Sequence, residues 1–303
     1  MKKKIYIFFK LITFFIAIYL FINFINQEEF LDTIRRLDLF KIIIIFFTFI
    51  PLPFLMTVRW YLIVNNFSKI PFIDFFRNII TGFSVSLISS SSLALDVTKL
   101  IKIKPELGTE QSLLLVIIDK FFALIFKIFF LVCLINFLNI FYLKINVSIF
   151  TSISIFFLLT IFVFIYKFKF ICNYLHNKNI FNYNLKKLIN IFLLLKPKFK
   201  LILMMNFIIQ SLNIFLYFMI FKFLETDFNL LKLAIFIPLV ELVSQFQFLI
   251  FGLKELSTVF LFSFLNFTYE QSLAGALIYT FTDFLAVICL YFMFNLIYLP
   301  KNK

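Results

Sequence analysis

Apolar segments long enough to cross a lipid bilayer recur along the whole of this 303-residue chain. Runs of about 18 or more apolar residues are candidate membrane-spanning helices, because the hydrocarbon core is roughly 30 Å thick. The chain is 63% hydrophobic and only 15% charged, whereas soluble domains are about half apolar and a quarter charged. No stretch of domain length lacks such a run. We therefore predict an all-α polytopic membrane protein in which residues 1–303 form a single transmembrane domain.

The net charge of +14 comes from short segments that separate the apolar runs. Cytoplasmic loops of membrane proteins carry an excess of Lys and Arg. The segment 167–200 contains eight lysines and no acidic residue, and the N-terminus begins with three lysines in a row after Met1. We predict that both are cytoplasmic, that the chain is a multi-pass protein of the plasma membrane, and that nucleic acid is not a partner.

Side chains that commonly bind metals or carry out nucleophilic catalysis are few. His176 is the single histidine, and the three cysteines, Cys133, Cys172 and Cys289, are far apart and form no CxxC pair. A zinc site needs clustered Cys and His ligands, and a catalytic triad needs a histidine beside its nucleophile. The sequence therefore predicts no catalytic residues, no metal, no cofactor and no enzyme activity.

The charges between the runs define a topology. We expect a retained first helix rather than a cleaved signal peptide, because no small-residue cleavage site follows its apolar run. Two segments contain polar interruptions and start and end on the same predicted side, which is typical of re-entrant hairpins. The predicted spans are 5–25, 39–58, 113–137, 146–166, 201–221 and 272–299, and the predicted hairpins are 76–105 and 233–267.

This order is span, span, hairpin, span, followed by the same order in the opposite orientation. Transporters built as inverted repeats with broken helices carry their site at the breaks. The sequence therefore predicts about six transmembrane helices plus two re-entrant helical hairpins, with inverted halves 1–140 and 141–303. The alternative is eight full spans.

The two polar interruptions carry the candidate binding residues. Irregular or charged segments at membrane depth must be buried in protein or line a wet cavity. Small hydroxyl groups and the amides of a following helix are suited to an anionic headgroup. Serines that merely pack helices, and an ordinary interfacial loop, are the structural alternatives. The predicted headgroup-binding residues are Ser91, Ser92, Asp96, Lys99, Gly252, Lys254 and Glu255.

Acidic residues also lie inside the apolar runs. Such residues are costly in a membrane and usually face a partner or a cavity, so a proton or cation role and a buried structural pair both remain open for them. Arg59 with Trp60 follows the second run, as a cation and an aromatic at the expected membrane boundary. The predicted supporting residues are Arg59, Asp119, Lys120 and Glu241.

Four motifs in order resemble the lysylphosphatidylglycerol synthase transmembrane, or flippase-like, family. Arg59-Trp60 is similar to its Arg-Trp pair, and Asp119-Lys120 is similar to its Asp-Arg pair. Residues 94–99 resemble its Gly-Gly-Asp-x-x-Arg motif, with Asp96 retained, both glycines absent and Lys for Arg. Residues 251–255 resemble its Gly-x-Gly-x-Arg-Glu motif, also with Lys for Arg.

The resemblance covers about residues 50 to 290 and implies handling or translocation of membrane lipids. The substrate class would be an anionic phospholipid or a polyprenyl-phosphate-linked glycan. Asp96, Lys99, Lys254 and Glu255 would line a central path, in which Asp119 would orient one of the lysines. The alternative is a non-catalytic accessory subunit that binds a lipid- or glycan-modifying enzyme, in which the basic loop would matter instead.

Overall fold

The computed structural model describes residues 25–89, 92–141, 191, 194–244 and 253–297, and the regular structure in these ranges is helical. The helices are α1 (Gln27–Arg35), α2 (Leu39–Phe49), α3 (Pro51–Val64), α4 (Phe72–Ser89), α5 (Ser92–Phe141), α6 (Phe199–Phe223), α7 (Leu230–Ser244), α8 (Leu253–Ser263) and α9 (Tyr269–Ile297), and a 3₁₀ turn precedes α6. The predicted spans 5–25 and 146–166 and most of the basic loop lie outside the described residues.

Three of the described helical segments are long and apolar enough to cross a membrane. They are Leu39–Val64, Phe199–Phe223 and Tyr269–Phe294, of 26, 25 and 26 residues. At 1.5 Å per residue each is about 38 Å long, which exceeds the roughly 30 Å hydrocarbon core. The predicted spans 201–221 and 272–299 are therefore confirmed as long apolar helices, and the all-α class is confirmed for the described residues.

The predicted end of the second span at Val58 is wrong. The helix continues to Val64, because Pro51 opens α3, where proline's missing N–H costs nothing. Pro51 and Pro53 therefore stand in the first turn of a helix. Arg59 and Trp60 lie inside it and are 7% and 0% exposed, so both side chains are packed within the protein; their position at the membrane boundary stays a prediction.

The chain divides into two compact units. The first contains Met1–Thr57, Ile70–Lys102 and Ile208–Lys303, and the second contains Val58–Lys69 and Ile103–Phe207. The predicted inverted halves, 1–140 and 141–303, and the single-domain organisation stay predictions.

In the first unit, α4 and the beginning of α5 pack as an antiparallel helical pair. The Asn78 side-chain amide donates to the Thr98 carbonyl at 3.0 Å. One turn further along α4, a Cβ on Gly82 would lie only 3.0 Å from the Cβ of Thr98. Glycine therefore allows the two backbones to approach closely. These contacts fold the chain back on itself where residues 90–91, which lie outside the described residues, connect the two helices.

The first unit contains a second antiparallel pair, formed by α7 and α8. The rings of Phe236 and Phe264 stack with their centroids 6.4 Å apart. Helix α8 has 11 residues and is therefore about 16 Å long, which is about half of the hydrocarbon thickness. The connection between α7 and α8, residues 245–252, lies outside the described residues.

Helix α5 is bent where Gly108 adopts φ 76° and ψ 167°. This backbone conformation suits glycine, which has no Cβ to clash. Pro105 removes one backbone donor just before the bend. The predicted span 113–137 falls in the part of α5 that follows the bend.

Candidate functional site

A group of polar and charged side chains surrounds the beginning of α8 in the first unit. The Lys254 ammonium lies over the ring of Tyr279, 3.7 Å from its centroid, and the lysine side chain is half-buried. A cation over an aromatic face is attracted by the ring quadrupole, by about 2 kcal/mol when both groups are desolvated. Helix α9 therefore holds the charge of the short helix α8 in place.

Tyr279 is itself fixed by neighbouring helices. Its hydroxyl donates to Asn213 Oδ1 at 3.1 Å, and its ring stacks on Tyr217 of α6 at 4.4 Å and 16°. Phe49 of α2 packs edge-on against the same ring, with the centroids 4.8 Å apart. The aromatic surface beneath Lys254 is therefore rigid rather than adaptable.

Three carboxylates lie around the same aromatic pair. Glu255 accepts a hydrogen bond from the Thr280 hydroxyl at 2.8 Å. Asp283, one turn further along α9, is close enough to Lys254 for a favourable electrostatic interaction. Glu241 of α7 is 7% exposed. We call the whole group the Lys254 cluster; it contains Asn213, Tyr217, Glu241, Lys254, Glu255, Tyr279 and Asp283.

The structure thus brings together three of the sequence-predicted residues, namely Lys254, Glu255 and Glu241. In the described ranges no three Asp, Glu, His or Cys side chains are arranged to hold a metal ion. The cluster offers one cation, three carboxylates and hydroxyl groups. Chemically it is suited to binding a charged group.

The predicted residues of the first interruption are only partly described. Asp96 is half-buried and Lys99 is 7% exposed, both on α5. Ser91 and Gly252 lie outside the described residues, and nothing is described of the Ser92 side chain. The headgroup-binding role of all these residues stays a prediction.

Arg59 and Asp119 form a buried ion pair in the second unit. Arg59 Nε donates to Asp119 Oδ1 at 3.0 Å, and Nη2 donates to Oδ2 at 3.2 Å. The remaining terminal nitrogen, Nη1, donates to Asn206 Oδ1 at 2.9 Å. This planar fork satisfies the carboxylate in the geometry that arginine favours. The predicted orientation of Lys99 or Lys254 by Asp119 stays a prediction, and Lys120 is exposed.

Sequence reasoning missed the α6 side chains and Tyr279. Asn206, Gln210, Asn213 and Tyr217 follow one another at helical spacing in an otherwise apolar span. Residues spaced by three or four lie on one helix face, so this polar stripe was a visible signal that α6 faces buried polar partners. For Tyr279 no such signal exists, because a single tyrosine in a span is common.

Comparison with known proteins identifies one family. A family model described as the lysylphosphatidylglycerol synthase TM region matches residues 7–290, which is nearly the whole chain. No curated protein and no solved structure matches the chain. The helical fold, the long apolar spans and the four motifs agree with this match. The chain belongs to the lysylphosphatidylglycerol synthase transmembrane family, whose name links it to membrane lipids.

Proposed function

We propose that this protein is a flippase-like protein of the plasma membrane that binds and translocates an anionic lipid, either a phospholipid or a polyprenyl-phosphate-linked glycan. The observation that carries the proposal is the position of Lys254. Its charge stands at the start of a helix too short to cross the hydrocarbon core, and a rigid aromatic ring holds it there. Intramembrane ionisable residues are expensive, and they commonly mark a substrate path.

The packing of α4 on α9 supports a meeting of the two helical pairs at one level. The ring of Phe76 contacts Phe294 at 4.7 Å, and Ile80 shares a buried cluster with Leu290, so the two helices run antiparallel. The end of α4 at Ser89 lies thirteen residues beyond Phe76, which is about 20 Å along the helix. Thirteen residues back from Phe294 along α9 is Phe281. It follows Tyr279 and Thr280, which contact Lys254 and Glu255, and it precedes Asp283.

In this proposal the two antiparallel pairs are the re-entrant hairpins of a six-span protein. Both tips approach the level of Thr280 on α9, where a headgroup would meet charges from both. Lys254 would contact the phosphate, and Lys99 would supply the second cation. The hydroxyls and backbone of Ser91, Ser92 and Gly252 would complete the site. Asp96 and Glu255 would also belong to this site, where their carboxylates would orient the two lysine side chains.

The test is lipid movement in vesicles that contain the purified protein. Fluorescent phospholipids and fluorescent polyprenyl-phosphate lipids are reconstituted separately, and membrane-impermeant quenching of the outer leaflet reports transbilayer exchange. Wild-type protein is expected to accelerate exchange of at least one class. Lys254→Met removes the charge and is expected to abolish the acceleration. Lys254→Arg keeps a cation for the aromatic ring and is expected to retain part of it.

Lys222 provides a matched control, because its ammonium also lies over an aromatic ring, that of Phe218, at 5.8 Å. It is exposed at the end of α6 and stands outside the cluster. Lys222→Met should leave exchange unchanged. If folded wild-type protein moves neither lipid class, the proposal is wrong. A loss of partner binding on neutralising Lys186 and Lys187, with no lipid movement, would instead support the accessory-subunit alternative.

A further inference from the structure

A cavity of about 580 Å³ lies beside α9 in the first unit. One side of its described wall is formed by Ile34 of α1, by Leu37 in the connection that follows, and by Ile42 of α2. The other side comes from α9, within residues 277–284. Ligand pockets in proteins are commonly about 300–1,000 Å³, so this cavity has room for a ligand-sized group.

The described wall of the cavity offers mainly hydrocarbon. Its polar members are Thr280 and Thr282, and both direct their hydroxyl protons elsewhere. The Thr282 hydroxyl donates to the Ile278 carbonyl at 2.7 Å, and the Thr280 hydroxyl donates to Glu255 Oε1 at 2.8 Å. A buried water molecule needs about two to four polar partners. An apolar group is therefore a better occupant of this cavity than water.

The α1 side of the wall is fastened to other helices at both of its ends. Just before α1, the Asn26 backbone N–H donates to Glu270 Oε1 of α9 at 2.9 Å. Just after α1, Arg36 Nη1 donates to the Leu224 carbonyl at the end of α6, at 3.3 Å. These bonds hold the wall apart from α9 at a fixed distance. The cavity is therefore preformed, as most ligand pockets are.

The α9 side of the wall also faces out of the protein. Leu277 and Phe281 are 39% and 59% exposed, and with Phe284 they share one helix face by their spacing. They lie in the apolar segment Tyr269–Phe294, which is long enough to cross a membrane. In a bilayer, exposed apolar side chains of such a helix contact lipid tails, which are as apolar as leucine. A hydrocarbon chain can therefore reach the cavity without passing through water.

Thr280 connects the cavity to the Lys254 cluster. Its side chain lines the cavity while its hydroxyl holds Glu255, and the neighbouring Tyr279 ring carries the Lys254 ammonium. A molecule that fills both places has an anionic end and a hydrocarbon chain. We propose that this cavity binds a hydrocarbon chain of the anionic lipid whose headgroup contacts Lys254. This inference rests on the proposed function and adds the place of the chain, which is an acyl chain in a phospholipid and an isoprenoid chain in a polyprenyl phosphate.

The experiment identifies which lipids lie against Phe281. The photoreactive amino acid benzoylphenylalanine takes the place of Phe281 in the full chain, in vesicles of phosphatidylcholine that contain a minor fraction of phosphatidylglycerol or, separately, of polyprenyl phosphate. After illumination, mass spectrometry identifies the lipids attached at this position. We expect one of the two anionic lipids to be attached several-fold more often than its fraction in the vesicle, and that lipid identifies the chain.

Matched controls separate the cavity from ordinary contact with the bilayer. Phe292 is equally exposed on the same helix and outside the described wall, so the photoreactive residue placed there should attach lipids in the proportions of the vesicle. Lys254→Met should remove the enrichment at position 281. Leu277→Trp, which fills the cavity, should slow lipid exchange, whereas Met293→Trp, exposed and outside the wall, should not. The attachment at position 281 remains a test if Leu277→Trp fails to fold.

The outcomes separate this inference from the proposed function. Lipid exchange by wild-type protein, with only the vesicle composition attached at position 281, would refute the chain site and leave translocation standing. Enrichment that depends on Lys254, without any exchange, would support the chain site and overturn translocation. Enrichment that persists in Lys254→Met would refute the inference, because the chain and the headgroup would then bind independently. Attachment to a second copy or to residues 1–24 would also refute it, because protein would then occupy the cavity.

Discussion

Removing the Asp119 carboxylate should destabilise the protein more than removing both members of its ion pair. The side chains of Arg59 and Asp119 are 8% and 2% exposed, and two N–H···O bonds join them at 3.0 and 3.2 Å. In Asp119→Ala the guanidinium stays charged, because arginine does not lose its proton in proteins. A buried cation is then left with only the Asn206 amide oxygen to compensate it among the bonds described for it.

The expected magnitude follows from this asymmetry. Breaking a buried ion pair by removing one partner costs about 3–5 kcal/mol. Replacing both partners by apolar residues of similar volume is often neutral, so Arg59→Met with Asp119→Leu should cost on the order of 1 kcal/mol. Arg59→Lys should fall between these values, because lysine keeps the charge but loses the planar fork.

Thermal stability in detergent measures these differences. The fraction of protein that remains monodisperse after heating gives an apparent melting temperature for each variant. A loss of 3–5 kcal/mol corresponds to a drop on the order of 10 °C for a chain of this size. The reasoning fails if the double variant melts as low as Asp119→Ala, since the cost would then come from lost volume rather than from an uncompensated charge.

Two further variants test local packing and the aromatic support. Gly82→Val should destabilise the first helical pair by about 1–3 kcal/mol, because the added carbons meet Thr98; an unchanged melting temperature would contradict the close approach. Tyr279→Phe loses the hydrogen bond to Asn213, worth about 1 kcal/mol, but keeps the ring beneath the lysine. It should lower stability slightly and leave lipid exchange intact, whereas Tyr279→Leu should impair exchange in the same vesicle assay.

The long spans could be predicted from the sequence because lipid imposes a composition on every helix that crosses it. Length and apolarity were enough for 201–221 and 272–299, which match α6 and α9 within a few residues. The same reasoning failed at Val58, because it ended the span shortly after Pro51 and Pro53, whereas the helix continues to Val64. Proline is compatible with the first turn of a helix. The pattern of hydrophobicity alone does not show whether a helix ends at a proline or continues beyond it.

The partners of the buried charges could not be predicted in the same way. Arg59 and Asp119 are sixty residues apart, and Lys254 meets Tyr279 on a different helix. Sequence spacing identifies neighbours only within one helix, so contacts between helices depend on packing that hydrophobicity does not specify. The polar stripe on α6 was accessible in principle, since Asn213 and Tyr217 share its face.

The two buried charge groups differ in a way that separates structure from function. The guanidinium of Arg59 is matched by one carboxylate and one amide in good geometry, and a satisfied pair of this kind has no need of a ligand. In the Lys254 cluster the ammonium lies over the Tyr279 ring at the beginning of a helix of only 11 residues, and the lysine side chain is half-buried. Intramembrane ionisable residues are costly and commonly mark a substrate path, and the proposed function places the lipid headgroup at this charge. The search for substrate should therefore begin at the start of α8, and Arg59 variants should affect lipid exchange only as far as they unfold the protein.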